Sequence, residues 1–525
     1  MAEKNEKGSR EMRLLKQGRL GLVRVIFSRL GIITLLFLLQ AALLATAFMW
    51  LEEAIHLYVG ATAVVTAVAV LFLLNGDSDP SAKITWLVII MALPIMGALL
   101  FAYTKTEVGH RALKARTDKL IKESKGILPL SAATLADMEK NAPDTVPLAS
   151  YLYTTGDWVS YNDSNARYFS DGESKHGAML EALEKAEKFI FLEYFIISEG
   201  EMWGRTLEIL ARKAKEGVEV RVLYDGTCQF TRLTADYASR LNKLGIKCRT
   251  FSPLTPFIST HYNYRDHRKI AVIDGKTAFT GGVNLADEYI NINSRFGKWK
   301  DAAVMIEGNA VNSFTLMFLQ MWETGGKGTV GKDYFVWQEK HEGGGFIIPY
   351  GDHPLDNNKT GERVYMDILN RAREYVYIMT PYLILDATME TAIRFAAERG
   401  VDVRIILPGI PDKKGAYALA KTHYAPLLSS GVKIYEYAPG FIHSKVFLAD
   451  GKEAVVGTIN LDYRSFYHHF ECAAYMRSTS CIEDVRRDFD TTFPLCREVT
   501  PATVKAEKLG TKILGFILKV IAPLM

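Results

Sequence analysis

Residues 267–284 read HRKIAVIDGKTAFTGGVN, and residues 443–460 read HSKVFLADGKEAVVGTIN. In both stretches a His is followed by a Lys at +2, an Asp-Gly pair at +7 and +8, and an Asn at +17. Side chains alternate between the faces of an extended strand, so the His and the Lys of each stretch share one face. Asp-Gly is typical of a tight hairpin turn. Each stretch therefore predicts a strand, a hairpin turn, a second strand and a Gly-assisted turn that brings the Asn back beside the His.

The two stretches supply the groups that chemistry on a phosphodiester requires. The negative charge of the diester must be neutralised before a nucleophile can reach phosphorus, and two ammonium groups with two amides can do this without a metal. One neutral imidazole can attack phosphorus while the other protonates the leaving alkoxide. The candidate catalytic residues are His267, Lys269, Asp274, His443, Lys445 and Asp450, and the candidate phosphate-binding residues are Asn284 and Asn460. We expect the two Asp side chains to orient the turn or neighbouring groups and not to attack substrate.

This pair of motifs resembles the signature of the phospholipase D superfamily. The narrower likeness is to the bacterial cardiolipin synthases, and three runs carry it: NYRDHRKI at 263–270, GFIHSK at 440–445 and NLDYRS at 460–465. Members of the family more often have Asn where Asp266 stands. The resemblance covers nearly all of the chain from the second hydrophobic segment to Cys496.

The resemblance implies a two-step transfer with a covalent phosphohistidine. One phosphatidylglycerol donates its phosphatidyl group to a His, glycerol leaves, and a second phosphatidylglycerol accepts the group to give cardiolipin. It assigns His267 as the nucleophile and His443 as the acid and base, while the motifs alone leave open which is which. It also implies a carboxylate behind each His, for which Asp301 and Glu471 stand at the matching positions; two surface acids at strand ends are the alternative.

Other functions remain as alternatives at this point. A phospholipase D hydrolase or another phosphatidyltransferase, such as a phosphatidylserine synthase, would use the same motifs, because the acceptor pocket is set by shape and not by motif. A catalytically silent membrane scaffold is the non-enzymatic alternative. No cofactor is expected, since the bonds broken and made in the transfer are of similar energy.

The rest of the chain predicts a duplicated body. The runs GVEVR at 217–221 and GVDVR at 400–404 each join a predicted helix to a predicted strand, and Gly there suits a helix end with positive φ. Alternating strands and helices indicate βαβ units. We predict an α/β protein with two duplicated phospholipase D-like lobes, whose mixed β-sheets are flanked by helices, and an N-terminal transmembrane helical region. The predicted domains are the membrane region at 1–110, the lobes at 111–340 and 341–500, and a basic amphipathic helix at 501–525.

Hydrophobic and basic residues are unevenly distributed. Apolar stretches at 31–51, 55–74 and 84–103 are each long enough to cross a hydrocarbon core. Net charges of +5 at 1–30, +4 at 105–125 and +3 at 502–525 compare with +4 for the whole chain. Basic charge at the ends of hydrophobic segments favours an anionic membrane surface over nucleic acid. The tail helix could lie on that surface or pack on the protein itself.

The charges also bear on topology. Positive charge before the first stretch and after the third would place both in the cytoplasm, which three crossings do not allow. We predict a hairpin at 55–103 in the bacterial inner membrane with a cytoplasmic catalytic body, and leave open whether 31–51 crosses. The expected partners are phosphatidylglycerol and other anionic lipids, and the oligomeric state, including a homo-oligomer, stays open. Five cysteines without metal spacing or a disulfide framework indicate reduced thiols and no metal site.

Overall fold

The computed structural model describes residues 55–76, 79–106, 108–253, 264–292, 295–338 and 344–524. The apolar stretch predicted at 31–51 lies outside these residues. Within them the chain divides into two compact units, a larger one within 114–519 and a smaller one that combines 55–113 with 520–524.

Two lobes within the larger unit each contain one mixed β-sheet. The strands of the first lobe are β1 (Ser164–Phe169), β2 (Phe189–Tyr194), β3 (Glu219–Asp225), β4 (Lys247–Phe251), β5 (Arg265–Asp266), β6 (Lys269–Ile273), β7 (Thr277–Gly281), β8 (Lys298–Lys300) and β9 (Ala303–Gly308). Those of the second lobe are β10 (Phe346–Asp352), β11 (Tyr375–Met379), β12 (Leu383–Ile384), β13 (Asp402–Pro408), β14 (Lys433–Tyr437), β15 (Gly440–Ile442), β16 (Val446–Ala449), β17 (Glu453–Gly457), β18 (Leu461–Asp462), β19 (His469–Arg477) and β20 (Cys496–Val499).

The two sheets have the same strand order. The first runs β1-β9-β7-β6-β2-β3-β4 and the second runs β10-β19-β17-β16-β11-β13-β14, with β20 added at its edge. In both, the last three strands of this shared order are parallel and the others pair antiparallel. The structure thus confirms a mixed α/β fold built from duplicated lobes.

Helices flank both sheets. The helices of the larger unit that follow residue 131 are α5 (Ala132–Asn141), α6 (Val146–Gly156), α7 (Gly172–Glu184), α8 (Glu201–Lys215), α9 (Thr227–Thr231), α10 (Tyr237–Asn242), α11 (Val311–Thr324), α12 (Thr360–Arg371), α13 (Ala387–Glu398), α14 (Lys414–Ser429), α15 (Tyr463–Tyr467), α16 (Ile482–Thr492), α17 (Pro501–Ala506) and α18 (Leu509–Ile521). Strands β2 and β6 are buried along their full length, which explains the uninterrupted apolar runs at 189–192 and 270–273 within them.

The glycines at the two helix-to-strand junctions behave as the sequence predicts. Gly217 follows α8 and Gly400 follows α13, and both have φ of +96°. This left-handed conformation is readily adopted by Gly because it has no Cβ. The equal angles show that the duplication extends to the backbone of these turns.

The described part of the smaller unit contains α1 (Ile55–Asn75), α2 (Pro80–Ala92), α3 (Pro94–Thr106) and the start of α4 (Val108–Ser124). Leu73, Ile90 and Phe101 form its core, where the ring of Trp86 lies 5.5 Å from that of Phe101.

The segment at 84–103, which the sequence predicts to span the membrane, lies within two successive helices, α2 and α3. Leu93 has φ −135° and ends α2, because a residue before proline is disfavoured in the helical region and Pro94 itself cannot donate a backbone hydrogen bond. Among the described helices, none combines the length and apolar character needed to cross a bilayer. The predicted transmembrane helical region is therefore not shown by this structure.

Candidate active site

Each of the two repeated stretches forms the predicted hairpin. Strands β6 and β7 pair antiparallel in the first lobe, and β16 and β17 do so in the second. The turns place Asp274 and Gly275 at φ of 52° and 66°, and Asp450 and Gly451 at 51° and 62°. Two successive residues with positive φ are the pattern that Asp-Gly favours in a two-residue hairpin.

The carboxylates of the two turn residues bind backbone and not the histidines. Asp274 accepts three hydrogen bonds, from the backbone N–H groups of 187–189 at 2.7–2.8 Å. Asp450 accepts the equivalent three from 373–375, each at 2.9 Å. Both lie at the end of the first hairpin strand that is farther from the His. These contacts fit the expected orienting role, since they fix the start of the neighbouring antiparallel strand, β2 in the first lobe and β11 in the second. Neither carboxylate contacts a candidate histidine.

The two candidate histidines lie at the junction between the lobes. The short strand β5, just before His267, pairs in parallel with the start of β19 from the second lobe. Strand β15, just before His443, pairs in the same way with β8 from the first lobe. The backbone N–H of His267 then donates to the carbonyl of Phe470 at 2.9 Å, and that of His443 donates to Lys300 at 2.7 Å. Reciprocal strand pairing therefore sets the position of both rings.

This strand pairing places each candidate acid beside the candidate histidine of the other lobe. Nδ1 of His267 lies 2.9 and 3.0 Å from the two carboxylate oxygens of Glu471, and Nδ1 of His443 lies 2.8 Å from Asp301. Both acids are fully buried, which is inconsistent with the alternative of two surface acids at strand ends. In the sequence each acid follows one motif, yet each contacts the His of the other motif. The carboxylates fix the ring orientation and keep the proton on Nδ1, so Nε2 of each neutral ring carries a lone pair.

The two candidate lysines are buried beside the histidines. The Nζ of Lys269 donates to the carbonyl of His267, and that of Lys445 donates to the carbonyl of His443. Burial lowers the pKa of Lys269 to about 8 and that of Lys445 to about 7. A buried ammonium group is costly without an anionic partner, and a bound phosphodiester would provide one.

The same surroundings keep the histidines neutral. Burial, followed by the charge of Lys269, holds the pKa of His267 well below its usual value. Burial and Lys445 lower the pKa of His443 to about 4, against the opposing effect of Asp301. At neutral pH both imidazoles are therefore unprotonated, as a nucleophile requires.

The two candidate asparagines are buried and already make internal hydrogen bonds. Asn284 accepts from the backbone N–H of Ile196 at 3.0 Å and donates to the hydroxyl of Tyr289 at 2.7 Å, and the Tyr289 ring lies 5.3 Å from that of His443. Asn460 donates to Asp462 at 3.0 Å. Because each amide has two N–H groups, one N–H of each remains as a further donor.

Two residues that the sequence analysis did not single out support the acids. The hydroxyl of Thr458 donates to Glu471 and accepts from the backbone N–H of Cys472 at 3.0 Å. Gly282 occupies the matching place in the first lobe, where a Cβ would come within 1.9 Å of the Asp301 carboxylate. The sequence signal for this difference was Gly-Gly-Val-Asn in the first motif against Gly-Thr-Ile-Asn in the second. Gly282 leaves room for Asp301, whereas Thr458 forms a hydrogen bond to Glu471.

Asp266, where the resembling family more often has Asn, belongs to a buried acidic pair. Burial raises the pKa of Asp266 to about 7 and raises that of its neighbour Glu193 well above the usual range. Arg268 lies 3.9 Å from Glu193 and donates to the backbone carbonyl of Glu471 at 3.1 Å. Arg268 therefore lies beside the acidic pair and also forms a hydrogen bond to the second lobe.

One group of described residues could hold a metal ion, formed by His267, His469 and Glu471 with ligand atoms within 4.8 Å of one another. These side chains suit zinc in type. However, the Nδ1 of His267 already donates to Glu471, and the buried Lys269 and Lys445 would repel a dication. The chemistry of the donor set therefore fits a proton-holding pair better than a metal.

The pKa values of the lysines predict how activity depends on pH. A lysine with a lowered pKa loses its charge as the pH rises through that value, so phosphate binding should weaken between about pH 7 and pH 8. We expect kcat/KM, which reports the free enzyme, to fall on the alkaline side by about tenfold per pH unit. The check is a pH profile of initial rates at low substrate concentration.

Two variants separate this effect from general alkaline damage. Lys445→Arg should extend the plateau to higher pH, because arginine stays charged, whereas Lys421→Arg, which alters a lysine paired with Glu436 at 2.6 Å, should leave the profile unchanged. A profile that stays flat up to about pH 10, where an ordinary lysine titrates, would contradict the assignment.

Duplicated lobes that cross-pair two histidines with two buried acids, beside two buried lysines, define the phospholipase D class of site. Two family models agree with it. The model described as cardiolipin synthase, PLD-like domain, matches residues 179–322 and 365–493, and the phospholipase D-nuclease N-terminal model matches 63–102.

Similar proteins narrow the class to one family. A Streptococcus mutans protein described as uncharacterized is 55% identical over 87% of this chain and 99% of its own length. A cardiolipin synthase of Alkalihalophilus pseudofirmus is 33% identical over 88% of this chain and 92% of its own. The chain belongs to the cardiolipin synthase family, a family of phosphatidyltransferases, which confirms the resemblance seen in the sequence. The crystal structure of the phosphatidylserine synthase of Haemophilus influenzae Rd KW20 shares the fold, with a TM-score of 0.54 over 69% of this chain and 93% of that one, at 14% identity.

Proposed function

We propose that the protein is a cardiolipin synthase that transfers a phosphatidyl group from one phosphatidylglycerol to another. The observation that carries the proposal is the pair of His–carboxylate contacts that cross between the lobes, at 2.8–3.0 Å. A transfer between two alcohols needs one group to hold the phosphatidyl moiety and another to move a proton twice, and the two halves of the site can divide these tasks. The family relationship supports the lipid substrate.

The first step uses the lone pair on Nε2 of His267. It attacks phosphorus, the bond between phosphorus and the glycerol oxygen breaks, and protonated His443 gives its proton to that oxygen. The bound diester makes this protonation possible, because its negative charge raises the pKa of His443. Lys269, Lys445 and the free amide N–H groups of the asparagines stabilise the charge on the phosphate oxygens.

The second step reverses the first with a new alcohol. Neutral His443 accepts the proton from a hydroxyl of the second phosphatidylglycerol, that oxygen attacks phosphorus, and the bond to His267 breaks. Cardiolipin leaves and His443 is again protonated. Asp301 and Glu471 hold the two rings in one orientation throughout, so neither ring has to be repositioned between the steps.

A membrane location follows from the substrate. We propose that the protein acts at the bacterial inner membrane, where apolar residues at 55–103 and the basic segments beside them contact anionic lipid. Several apolar side chains of the smaller unit are exposed, among them Leu71, Phe72, Ile84 and Met91, which is a composition that suits lipid better than water.

The function is tested by giving purified protein phosphatidylglycerol as its only lipid. We expect cardiolipin and glycerol in equal amounts, detected by mass spectrometry, with no added nucleotide. Phosphatidic acid as the main product would show a hydrolase, and no product from folded protein would favour the scaffold. Adding serine tests the remaining alternative, since phosphatidylserine formed in preference to cardiolipin would show a different acceptor.

Metal independence is a separate prediction. The site neutralises phosphate with lysine and amide groups, so we expect EDTA to lower the rate by less than about twofold. The control is the same reaction in neutral detergent micelles, where divalent ions have little effect on lipid packing. Complete loss of activity in micelles, restored by a divalent ion, would mean that the group formed by His267, His469 and Glu471 holds a catalytic metal.

A further inference from the structure

The tail helix α18 packs on the second lobe through one narrow face. Gly515, in the middle of the helix, is buried, and a Cβ there would come within 2.3 Å of the carbonyl oxygen of Ala418 on α14. About one turn further on, the side chain of Leu518 lies against Gly415, where a Cβ would be 3.3 Å from it. The two glycines therefore let α14 and α18 approach closely, and the tail helix is a built part of the lobe.

Another side of α18 is apolar and exposed. Leu509 and Phe516 have exposed fractions of 72% and 75%, and Ile513 and Ile517 are exposed as well. Their spacings of four, three and one residues place these side chains along one face of the helix. A contiguous apolar face on the surface of a folded protein marks a site of contact with another molecule or with a membrane.

A stripe of lysines runs beside this apolar face. Lys508, Lys512 and Lys519 are exposed and follow one another at spacings of four and seven residues, so they share one side of the helix. Glu507, the one acid in the sequence at 502–525, is already paired with Lys421 at 3.3 Å. Pairing two copies of this face would bring like charges together, whereas an anionic lipid surface neutralises them. The combination is typical of helices that lie in the plane of a membrane surface.

The packing on α14 connects this surface to the active site. Helix α14 begins at Lys414, after a loop in which the backbone N–H groups of Gly409 and Ile410 donate to the carbonyl of Gly440 at 3.1 Å. Gly440 begins β15, three residues before His443. The tail helix is therefore joined, through α14 and this loop, to the half of the site that carries the proposed acid and base.

We propose that α18 stays packed on α14 and lays its exposed apolar face in an anionic bilayer, and so holds the catalytic lobes at the lipid surface. This inference rests on the proposed function, because it specifies how the lobes meet lipid substrates. The apolar side chains enter the boundary between headgroups and acyl chains, about 5–10 Å deep, and the lysines bind lipid phosphates.

The first test measures the depth of the helix. Full-length Phe516→Cys protein, in a Cys496→Ser background because the other four cysteines are buried, carries a nitroxide and is reconstituted at low density in vesicles of equal parts phosphatidylglycerol and phosphatidylcholine. We expect oxygen, which concentrates in lipid, to relax the electron paramagnetic resonance signal, and a water-soluble nickel chelate to have little effect. A label at Arg487→Cys, whose side chain is 64% exposed on α16, is the control and should show the reverse.

The charge on the helix is tested with the same label. Changing Lys508, Lys512 and Lys519 together to Gln should make the label at 516 more accessible to the nickel chelate. Equal access of the chelate to labels at 516 and 487 in the parent protein would overturn the proposal. Dipolar coupling between labels at 516 would overturn it too, because it would show that a second copy covers this face.

The second test measures the effect on the rate. Phe516→Glu combined with Ile517→Glu should lower cardiolipin formation on vesicles about tenfold or more, while the rate in neutral detergent micelles stays near that of the wild type. Phe395→Glu, which alters an exposed aromatic residue on α13, should change neither rate. Equal losses in vesicles and micelles would mean that the tail acts on the fold of the lobe, and an unchanged vesicle rate would mean that the helix does not hold the lobes at the lipid; either result overturns the proposal.

Failure of this inference is distinguishable from failure of the proposed function. The label depth is measured without turnover, so it does not depend on which product the protein forms. A buried label in a wild-type protein that makes no cardiolipin would overturn the proposed function and leave the membrane contact in place.

Discussion

His267→Asn should abolish the covalent intermediate and lower cardiolipin synthesis by about 10⁴-fold or more, the scale at which removal of a catalytic nucleophile acts. The reason is that Nε2 of His267 is the atom proposed to attack phosphorus, and the asparagine amide is not nucleophilic. Protein mixed briefly with phosphatidylglycerol labelled at phosphorus and then quenched should carry acid-labile label in the wild type and none in the variant.

Two further variants, His443→Asn and a control at His423, show which histidine carries the label. His443→Asn should form label slowly, because no acid protonates the leaving glycerol, but should not abolish it, because the nucleophile is intact. It should also release the label slowly, since no base activates the incoming alcohol. His423→Asn, at a buried His–Glu pair outside the site, should label and turn over like the wild type. Label that persists in His267→Asn and is absent from His443→Asn would exchange the roles of the two histidines.

The second large effect is expected when either acid that contacts the histidine of the other lobe is replaced by its amide. Glu471→Gln should slow mainly label formation, by about 10²- to 10⁴-fold, whereas Asp301→Asn should slow both label formation and its release by a similar factor, because His443 acts in both steps. These are the magnitudes seen when a carboxylate that orients a catalytic imidazole becomes an amide. An amide at either position no longer fixes the tautomer with the lone pair on Nε2, so the ring it contacts loses its function while the fold is kept. Rapid-quench measurements of label formation and release separate the two steps.

This experiment decides between crossed and local pairing. If each acid served the His of the motif it follows, the two effects would be exchanged: Asp301→Asn would slow mainly label formation, and Glu471→Gln would slow both steps. Glu390→Gln is the matched control, because this glutamate contacts His423 in the same way outside the site, and both rates should stay at wild-type values.

Much of the fold was predictable from local sequence. Because side chains alternate between the two faces of a strand, each His and Lys of a motif was predicted to share one face. The Asp-Gly pairs predicted the positive φ values found at 274–275 and 450–451. Gly217 and Gly400 likewise take the left-handed conformation expected at a helix end. These features depend on steric contacts between residues close in sequence, and those residues are present in both copies of the motif.

Hydropathy was less informative for the N-terminal region. The stretch at 84–103 is apolar enough to predict one spanning segment, but the helix ends at Leu93. A hydropathy average does not register the missing N–H group of one proline, whereas the backbone geometry does.

Only the tertiary structure decided which groups meet at the site. Both acids were visible in the sequence, but Glu471 reaches His267 and Asp301 reaches His443 because β5 pairs with β19 and β8 pairs with β15. Backbone N–H and C=O groups at strand edges are alike for every residue, so the sequence near a motif does not specify which distant strand it will join. The local sequence determined the shape of each half, and the contact between the halves determined the site.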